Sequence, residues 1–191
     1  CGIPCGAITG LMAASQKRLV RKYYISPRCL AEIDDAEAKY YTIMRLAMPR
    51  DVAFIVAASP ATQLKLARAG EQHAESIIRD IHDGTLQPSA LVPPHVRREL
   101  QPGLRPDSQA ARRLDGLLQR HGRLLPRHYW NLAFLANWTG GTLGLYLREF
   151  PEYFGDVPVR DIGLLASEGR VSIPVEDDTP AGILNVVGHF F

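Results

Sequence analysis

Apolar residues recur at two different spacings along this chain, and the switches between them mark out its elements. A Gly-rich start over 1–10 leads into a dozen residues that read as a helix, with Lys17, Arg18, Arg21 and Lys22 on its solvated face. Ser26-Pro27 breaks the chain. Asp34 or Asp35 can then cap a helix whose apolar positions Tyr40, Tyr41, Met44, Ala47 and Met48 fall at helical spacing, and Pro49 ends it. The continuous apolar run Val52–Ala58 has the character of a strand buried on both faces. Ser59 caps the next helix, with Pro60 at its first position, where a missing N–H costs nothing. A further helix runs from about Gln72 to His82 and closes at Gly84.

Gln87–Pro106 is proline-rich and reads as an irregular connection, with at most a short helix around His95–Leu100. Asp107 caps the most regular helix, which sets Ala110, Ala111, Leu114, Leu117 and Leu118 on one face and stops at Gly122. The pattern then turns to strands. Leu132–Trp138 reads as a buried strand followed at once by Thr139-Gly140-Gly141-Thr142, then a short helix over Leu143–Glu149. A turn at Gly155–Pro158 leads into a second strand, Val159–Leu165, which runs into Ala166-Ser167-Glu168-Gly169-Arg170. Extended structure resumes over Val171–Val175, and a final strand starts at Ile183 and reaches Val187 or beyond. Strands separated by helices predict an α/β fold with a central, mostly parallel sheet.

Composition narrows the function classes. The 191 residues are 46% hydrophobic and 22% charged, with a formal net charge of +2, as in a soluble globular domain. No apolar run approaches the ~20 residues of a membrane helix. The near-neutral balance gives no electrostatic reason to expect nucleic acid or anionic lipid. The cysteines, Cys1, Cys5 and Cys29, are too few for a disulfide framework and point to a reducing, cytoplasmic setting. The histidines show no ligand spacing, so no structural metal is expected. The chain opens at Cys1 in a loop and stops at Phe191 in an apolar run, so it reads as an interior segment of a longer protein.

The candidate chemistry lies in the last third. Open α/β sheets bind ligands at the carboxyl ends of their strands. Without Cβ atoms, Gly140 and Gly141 let a flat ring or a phosphate approach the backbone, although a plain structural turn explains the pair better when it is taken alone. In Ser167-Glu168-Gly169, the hydroxyl can donate to a phosphate oxygen and the carboxylate can hold Mg²⁺. Magnesium needs only one or two carboxylates beside substrate phosphates, so a single Glu suffices. An exposed Glu in an ordinary turn is the alternative. If adjacent strands bring both segments to one sheet edge, the pair suits a nucleotide. No phosphate-binding loop of the G-x-x-x-x-G-K-[ST] type and no G-x-S-x-G elbow is present.

Trp138-Thr139-Gly140-Gly141 and Leu164-Leu165-Ala166-Ser167-Glu168-Gly169-Arg170 resemble the auxin-responsive promoter family of acyl acid-amido synthetases, within the acyl-adenylate-forming superfamily. Asp51–Ile55, Ile78–Leu86 and Tyr153–Asp161 are similar to its bacterial members. The resemblance implies that 1–191 is a single incomplete domain, the middle of the large N-terminal domain, helix-rich over 1–130 with nucleotide-site strands and loops over 131–191. It implies an ATP-dependent ligase that activates a carboxylic acid as acyl-AMP and passes the acyl group to an amino acid. Ser167 and Glu168 would be catalytic, with Glu168 holding Mg²⁺. Gly140, Gly141, Ala166, Ser167, Glu168 and Gly169 would bind the nucleotide, and Leu135, Asn137 and Trp138 would border the acyl pocket. The rivals are a non-catalytic nucleotide-binding module and an unrelated α/β interaction domain.

Overall fold

The computed structural model describes residues 23–166 and 169–188. The expected loop over 1–10 and the basic helix after it lie outside the described residues, as do Ser167, Glu168 and the aromatic residues at the chain's end. Strands β1 (Phe54–Val56), β2 (Phe134–Asn137) and β3 (Val159–Asp161) form a sheet in that order, and both pairings are parallel. Phe54 lies opposite Phe134, and Leu135 lies opposite both Ile55 and Val159. The α/β class with a parallel sheet is therefore as expected.

Helices α1 (Ala36–Ala47), α2 (Pro60–Gln72), α3 (Ala74–Asp83), α4 (Pro94–Leu100) and α5 (Ser108–His121) stand where the apolar spacing put them. Their ends follow from local chemistry. Asp35 accepts from the Ala38 amide at 2.7 Å, and Asp107 accepts from the Ala110 amide at 2.9 Å. Gly84 and Gly122 stop their helices with φ of 72° and 70°. Ser59 occupies the N-cap position of α2, but its side chain makes no capping bond. The pattern did not reveal α6 (Pro126–Tyr129) or α8 (Phe150–Phe154), each too short for a periodicity. Between them, Gly141–Leu143 forms a 3₁₀ turn that opens into α7 (Gly144–Leu147).

Several strand expectations are corrected. The first strand is not buried on both faces: Phe54 and Val56 are 48% and 56% exposed, because they lie on the face of the sheet opposite the packed cluster. Its outer face is covered only by local stacking, Phe54 on Phe134 with centroids 5.0 Å apart, and the Arg160 guanidinium 5.6 Å from the Phe134 ring. The expected strand Val159–Leu165 is two elements. It breaks at Gly163, whose φ of 79° no strand residue adopts. β4 (Leu165–Ala166) then pairs antiparallel with β5 (Gly169–Arg170), and β6 (Ser172–Ile173) with β7 (Ile183–Leu184). The last strand stops at Leu184, where the Val186 amide turns back to the Leu184 carbonyl.

Two apolar clusters hold these elements. The larger packs α1, α3, α4 and α5 around Met44, Ile77, Ile81, Val96 and Leu114. The smaller lies under the sheet, where Leu64 and Ala67 of α2 meet Leu135, Val159 and the α8 aromatics Phe150 and Phe154. Ile55 and Leu132 touch both clusters. Inside the larger one sits a polar knot. Buried Asp80 accepts from Tyr41 Oη at 2.7 Å, Thr85 Oγ1 at 2.6 Å and the Gln87 amide at 2.7 Å. Burial, reinforced by Asp80, pushes the Tyr41 phenol well up. Arg45, also buried, donates its Nε to the Thr85 carbonyl at 3.2 Å. Burial lowers its pKa, with the Asp80 carboxylate opposing. Among the described residues no helix is long and apolar enough to cross a membrane.

Replacing Asp80 by Ala would strand three donors and leave Arg45 without its main countercharge. A buried group losing its partner costs about 3–5 kcal/mol. The expected result is a lower urea midpoint with an unchanged slope. Cys29 offers a separate check. Burial, helped by Glu99 and Glu32, pushes its thiol up to about 11, so little thiolate exists at pH 8. Iodoacetamide at that pH should leave Cys29 unmodified in the folded protein and alkylate it in urea, as peptide mass spectrometry would read.

Candidate functional site at the carboxyl edge of the sheet

Because β2 and β3 are parallel, the loops that leave their carboxyl ends emerge on one edge. The β2 loop begins at Trp138, whose amide donates to the Ala58 carbonyl and whose Nε1 donates to the Gly163 carbonyl at 2.8 Å. Thr139 follows, buried, and then Gly140 and Gly141. These two glycines differ. A Cβ on Gly140 would stand 3.4 Å from the Pro180 ring, so its bare face receives that proline. Gly141 has a φ of 62°, and a Cβ there would meet nothing within 4 Å. The open backbone of the turn therefore belongs to Gly141.

The β3 loop is held from both sides. Asp161, buried at the end of the strand, accepts from the Thr139 amide at 2.7 Å, from Thr139 Oγ1 at 2.8 Å and from the Gly163 amide at 2.6 Å. Gly163 can only be glycine, since a Cβ would lie 2.4 Å from the Ser172 carbonyl oxygen. Beyond it, Ala166 pairs with Gly169, so β4 and β5 flank positions 167 and 168, which lie outside the described residues. The hairpin is anchored at its base: Arg170 donates to the Ile162 carbonyl at 2.8 Å, and the Leu164 amide donates to Ser172 Oγ at 2.9 Å.

The residues suggested for an acyl pocket take three separate positions. Leu135 is fully buried in the smaller cluster, between Ile55 and Val159 across the sheet. Asn137 is also fully buried; its Nδ2 donates to Gln63 Oε1 at 3.1 Å, and its Oδ1 has no partner. Gln63 completes the tie by donating to the Ile55 and Ala136 carbonyls at 3.3 and 3.0 Å. Trp138 is half-buried at the loop itself. Sequence reasoning missed Gln63, Asp161 and Gly163. An Asp two residues before a Gly at a strand end was the available signal for the latter pair, since such an Asp can accept from backbone two residues on.

Around the edge, Arg160 holds Asp177 through two contacts at 2.8 and 3.1 Å, while Asp178 accepts from the Val159 amide at 3.1 Å. These bonds lay the acidic turn 176–178 along the free side of β3 and carry Pro180 onto Gly140. Among the described residues no three His, Cys, Asp or Glu side chains cluster as metal ligands. A separate cleft of about 920 Å³ is lined by Gly84, Thr85, Arg97, Arg98 and Gln101 among others, and shares no residue with these loops.

The profile of the GH3 family N-terminal domain matches residues 1–159. A jasmonoyl--L-amino acid synthetase, GH3.3, from Oryza sativa subsp. japonica is 30% identical over 134 residues, which cover 66% of this chain and 28% of that protein. Among solved structures, a GH3.15 acyl acid amido synthetase superposes with a TM-score of 0.66 at 16% identity, over 78% of this chain and 28% of the other. AtGH3.15 acyl acid amido synthetase in complex with 2,4-DB gives 0.63 at 18% identity, over 73% and 25%. The chain thus spans little more than a quarter of the length of these relatives. The superpositions show the shared fold, and the profile match over most of its length makes this chain a member of the GH3 family, by its N-terminal domain.

Proposed function

We propose that this chain is part of an ATP-dependent acyl acid-amido synthetase and supplies much of its nucleotide site. The reading rests on one observation above all: the Gly141 turn and the loop leading to Ser167-Glu168 leave the same sheet edge and are bonded to each other there. The turn suits a nucleotide, because among the described residues nothing stands within 4 Å of where a Gly141 Cβ would be, which leaves room for a ring or phosphate at its backbone. The relatives named as amido synthetases support the same class, although each is about four times the length this chain covers.

In this reading a carboxylate oxygen attacks the α-phosphorus of ATP and the bond to pyrophosphate breaks, leaving an acyl-AMP. An amino acid amine then attacks the acyl carbon and AMP departs. Such displacements depend on positioning and charge neutralisation more than on a protein nucleophile. Ser167 would donate to an α-phosphate oxygen, and Gly140, Gly141, Ala166 and Gly169 would shape the nucleotide's bed. Glu168 would hold Mg²⁺, which when bound offsets the charge developing on the phosphate oxygens. Trp138, half-buried at the loop, would border the acid's pocket, with the fully buried Leu135 and Asn137 supporting it only from the core. The cytoplasm, where ATP and free amino acids are available, is the setting this chemistry requires.

In this reading the family's phosphate loop would precede this segment, and its ribose-binding Asp and mobile domain with a catalytic Lys would follow it. The isolated chain should therefore give no acid-dependent pyrophosphate exchange; measurable exchange by it would sink the claim that it is partial. In the complete protein, Glu168→Ala should lower adenylation about 100-fold or more with the thermal midpoint unchanged. Exchange near the wild-type rate would remove the magnesium role. Thermal shift with ATP and Mg²⁺ on the complete protein separates the ligase and the nucleotide-binding module from an interaction domain, since only nucleotide binders are stabilised.

A further inference from the structure

We infer that Asp161 is the positioning residue of the nucleotide site, a carboxylate latch that sets the distance between the Gly141 turn and the hairpin carrying positions 167 and 168. The inference rests on the ligase reading above and adds a role for a residue that never touches the substrate. One carboxylate bonds both loops. Its Oδ2 takes the amide and the hydroxyl of Thr139, the residue before Gly140-Gly141. Its Oδ1 takes the amide of Gly163, where β3 ends and the run to Ala166 begins.

All three bonds lie between 2.6 and 2.8 Å. Asp161 is 5% exposed, so water does not compete for the carboxylate. Charge-assisted bonds out of water are about twice as strong as neutral ones. With its oxygens engaged in this way, Asp161 is neither a free base nor a free metal ligand. Its effect passes through the backbone it fixes.

A second bond spans the same gap, from Trp138 Nε1 to the Gly163 carbonyl at 2.8 Å. The two loops are thus clamped on the amide and the carbonyl of one glycine. Main-chain bonds of the sheet add only Ile162 N to the Asn137 carbonyl at this level, at 3.2 Å. Without the latch, the ladder and the single Trp138 bond would set how far the hairpin stands from Gly141. A nucleotide bridging the two would then meet a variable gap, and its binding would weaken before the fold did.

Asp161→Asn tests this. An amide offers one accepting oxygen where the carboxylate offers two, and its NH₂ would confront one of the three donors. In the 191-residue chain, hydrogen exchange at the Thr139 and Gly163 amides should accelerate at least tenfold at one or both sites; wild-type protection at both would overturn the latch. In the complete protein, KM for ATP in acid-dependent pyrophosphate exchange should rise about tenfold, with KM for the acid moving less than twofold. Asp107→Ala is the control, since Asp107 caps α5 in the helical half by accepting from the Ala110 amide and touches neither loop. It should lower the thermal midpoint and leave KM for ATP unchanged. Equal KM values for Asp161→Asn and wild type, or equal rises in both variants, would overturn the positioning role. Should Asp161→Asn fail to fold, Thr139→Val decides, because it removes only the hydroxyl bond and should raise KM for ATP about threefold. A wild-type protein with no exchange activity defeats the ligase reading and the nucleotide role with it, whereas the amide exchange data judge the latch by themselves.

Discussion

Parallel pairing of three short strands is the constraint from which the rest of the molecule follows. A chain that ends β1 at one edge must travel back across a face of the sheet before it can begin β2 alongside. Here the return from β1 to β2 carries most of the helices, and α2 begins it directly on the sheet. Gln63 of that helix, fully buried, donates to carbonyls of both β1 and β2 and receives the Asn137 amide. Helix and strands are therefore registered by one side-chain amide as well as by Leu64 and Ala67 packing on Leu135. The same constraint gathers the exits of β2 and β3 on a common edge, which is the precondition for any site there.

The covered and uncovered faces of this sheet differ in physical character. One face rests on α2 and α8 through Leu135, Val159, Phe150 and Phe154. The other presents Phe54 and Val56 largely to solvent, shielded by a ring stack and one guanidinium. Sheets made wholly of parallel strands are ordinarily buried on both sides. Among the described residues, one layer of helices packs on the strands. The Gly141 turn and the Asp161 bonds lie together at the sheet's carboxyl edge.

The helical half is stabilised differently. It buries an ionic and polar knot, with Asp80 accepting from three groups and Arg45 beside it, inside an otherwise apolar cluster. Such a knot is worth little over a well-packed apolar substitute, yet breaking one partner is costly. Its effect is to lock α1 to α3 and to the turn after Gly84 in one arrangement. A surface chain of ion pairs joins the two halves: Arg123 reaches Glu71 and Glu152, and Arg68 reaches Glu149. Exposed pairs of this kind contribute little to stability, because water and salt screen them. The clusters meeting at Ile55 and Leu132 do more to unite the fold.

The amino-acid sequence by itself determined the elements whose causes are local. Asp35 and Asp107 cap, Gly84 and Gly122 terminate, and the apolar spacing of α1 and α5 needs no partner to be read. It also determined that a Gly-Gly turn follows β2. What it could not supply was anything decided by a neighbour. Val52–Ala58 has the composition of a central strand, but only the strand order makes β1 an edge. Val159–Leu165 has the composition of one strand, but the Ser172 carbonyl pressed against Gly163 divides it. Gly140 and Gly141 are alike as letters, yet Pro180, arriving from far along the chain, closes one and leaves the other open. Asp161 became legible as a junction only when the fold brought Thr139 and Gly163 to its two oxygens, because a carboxylate's partners are set by distance in space rather than along the chain.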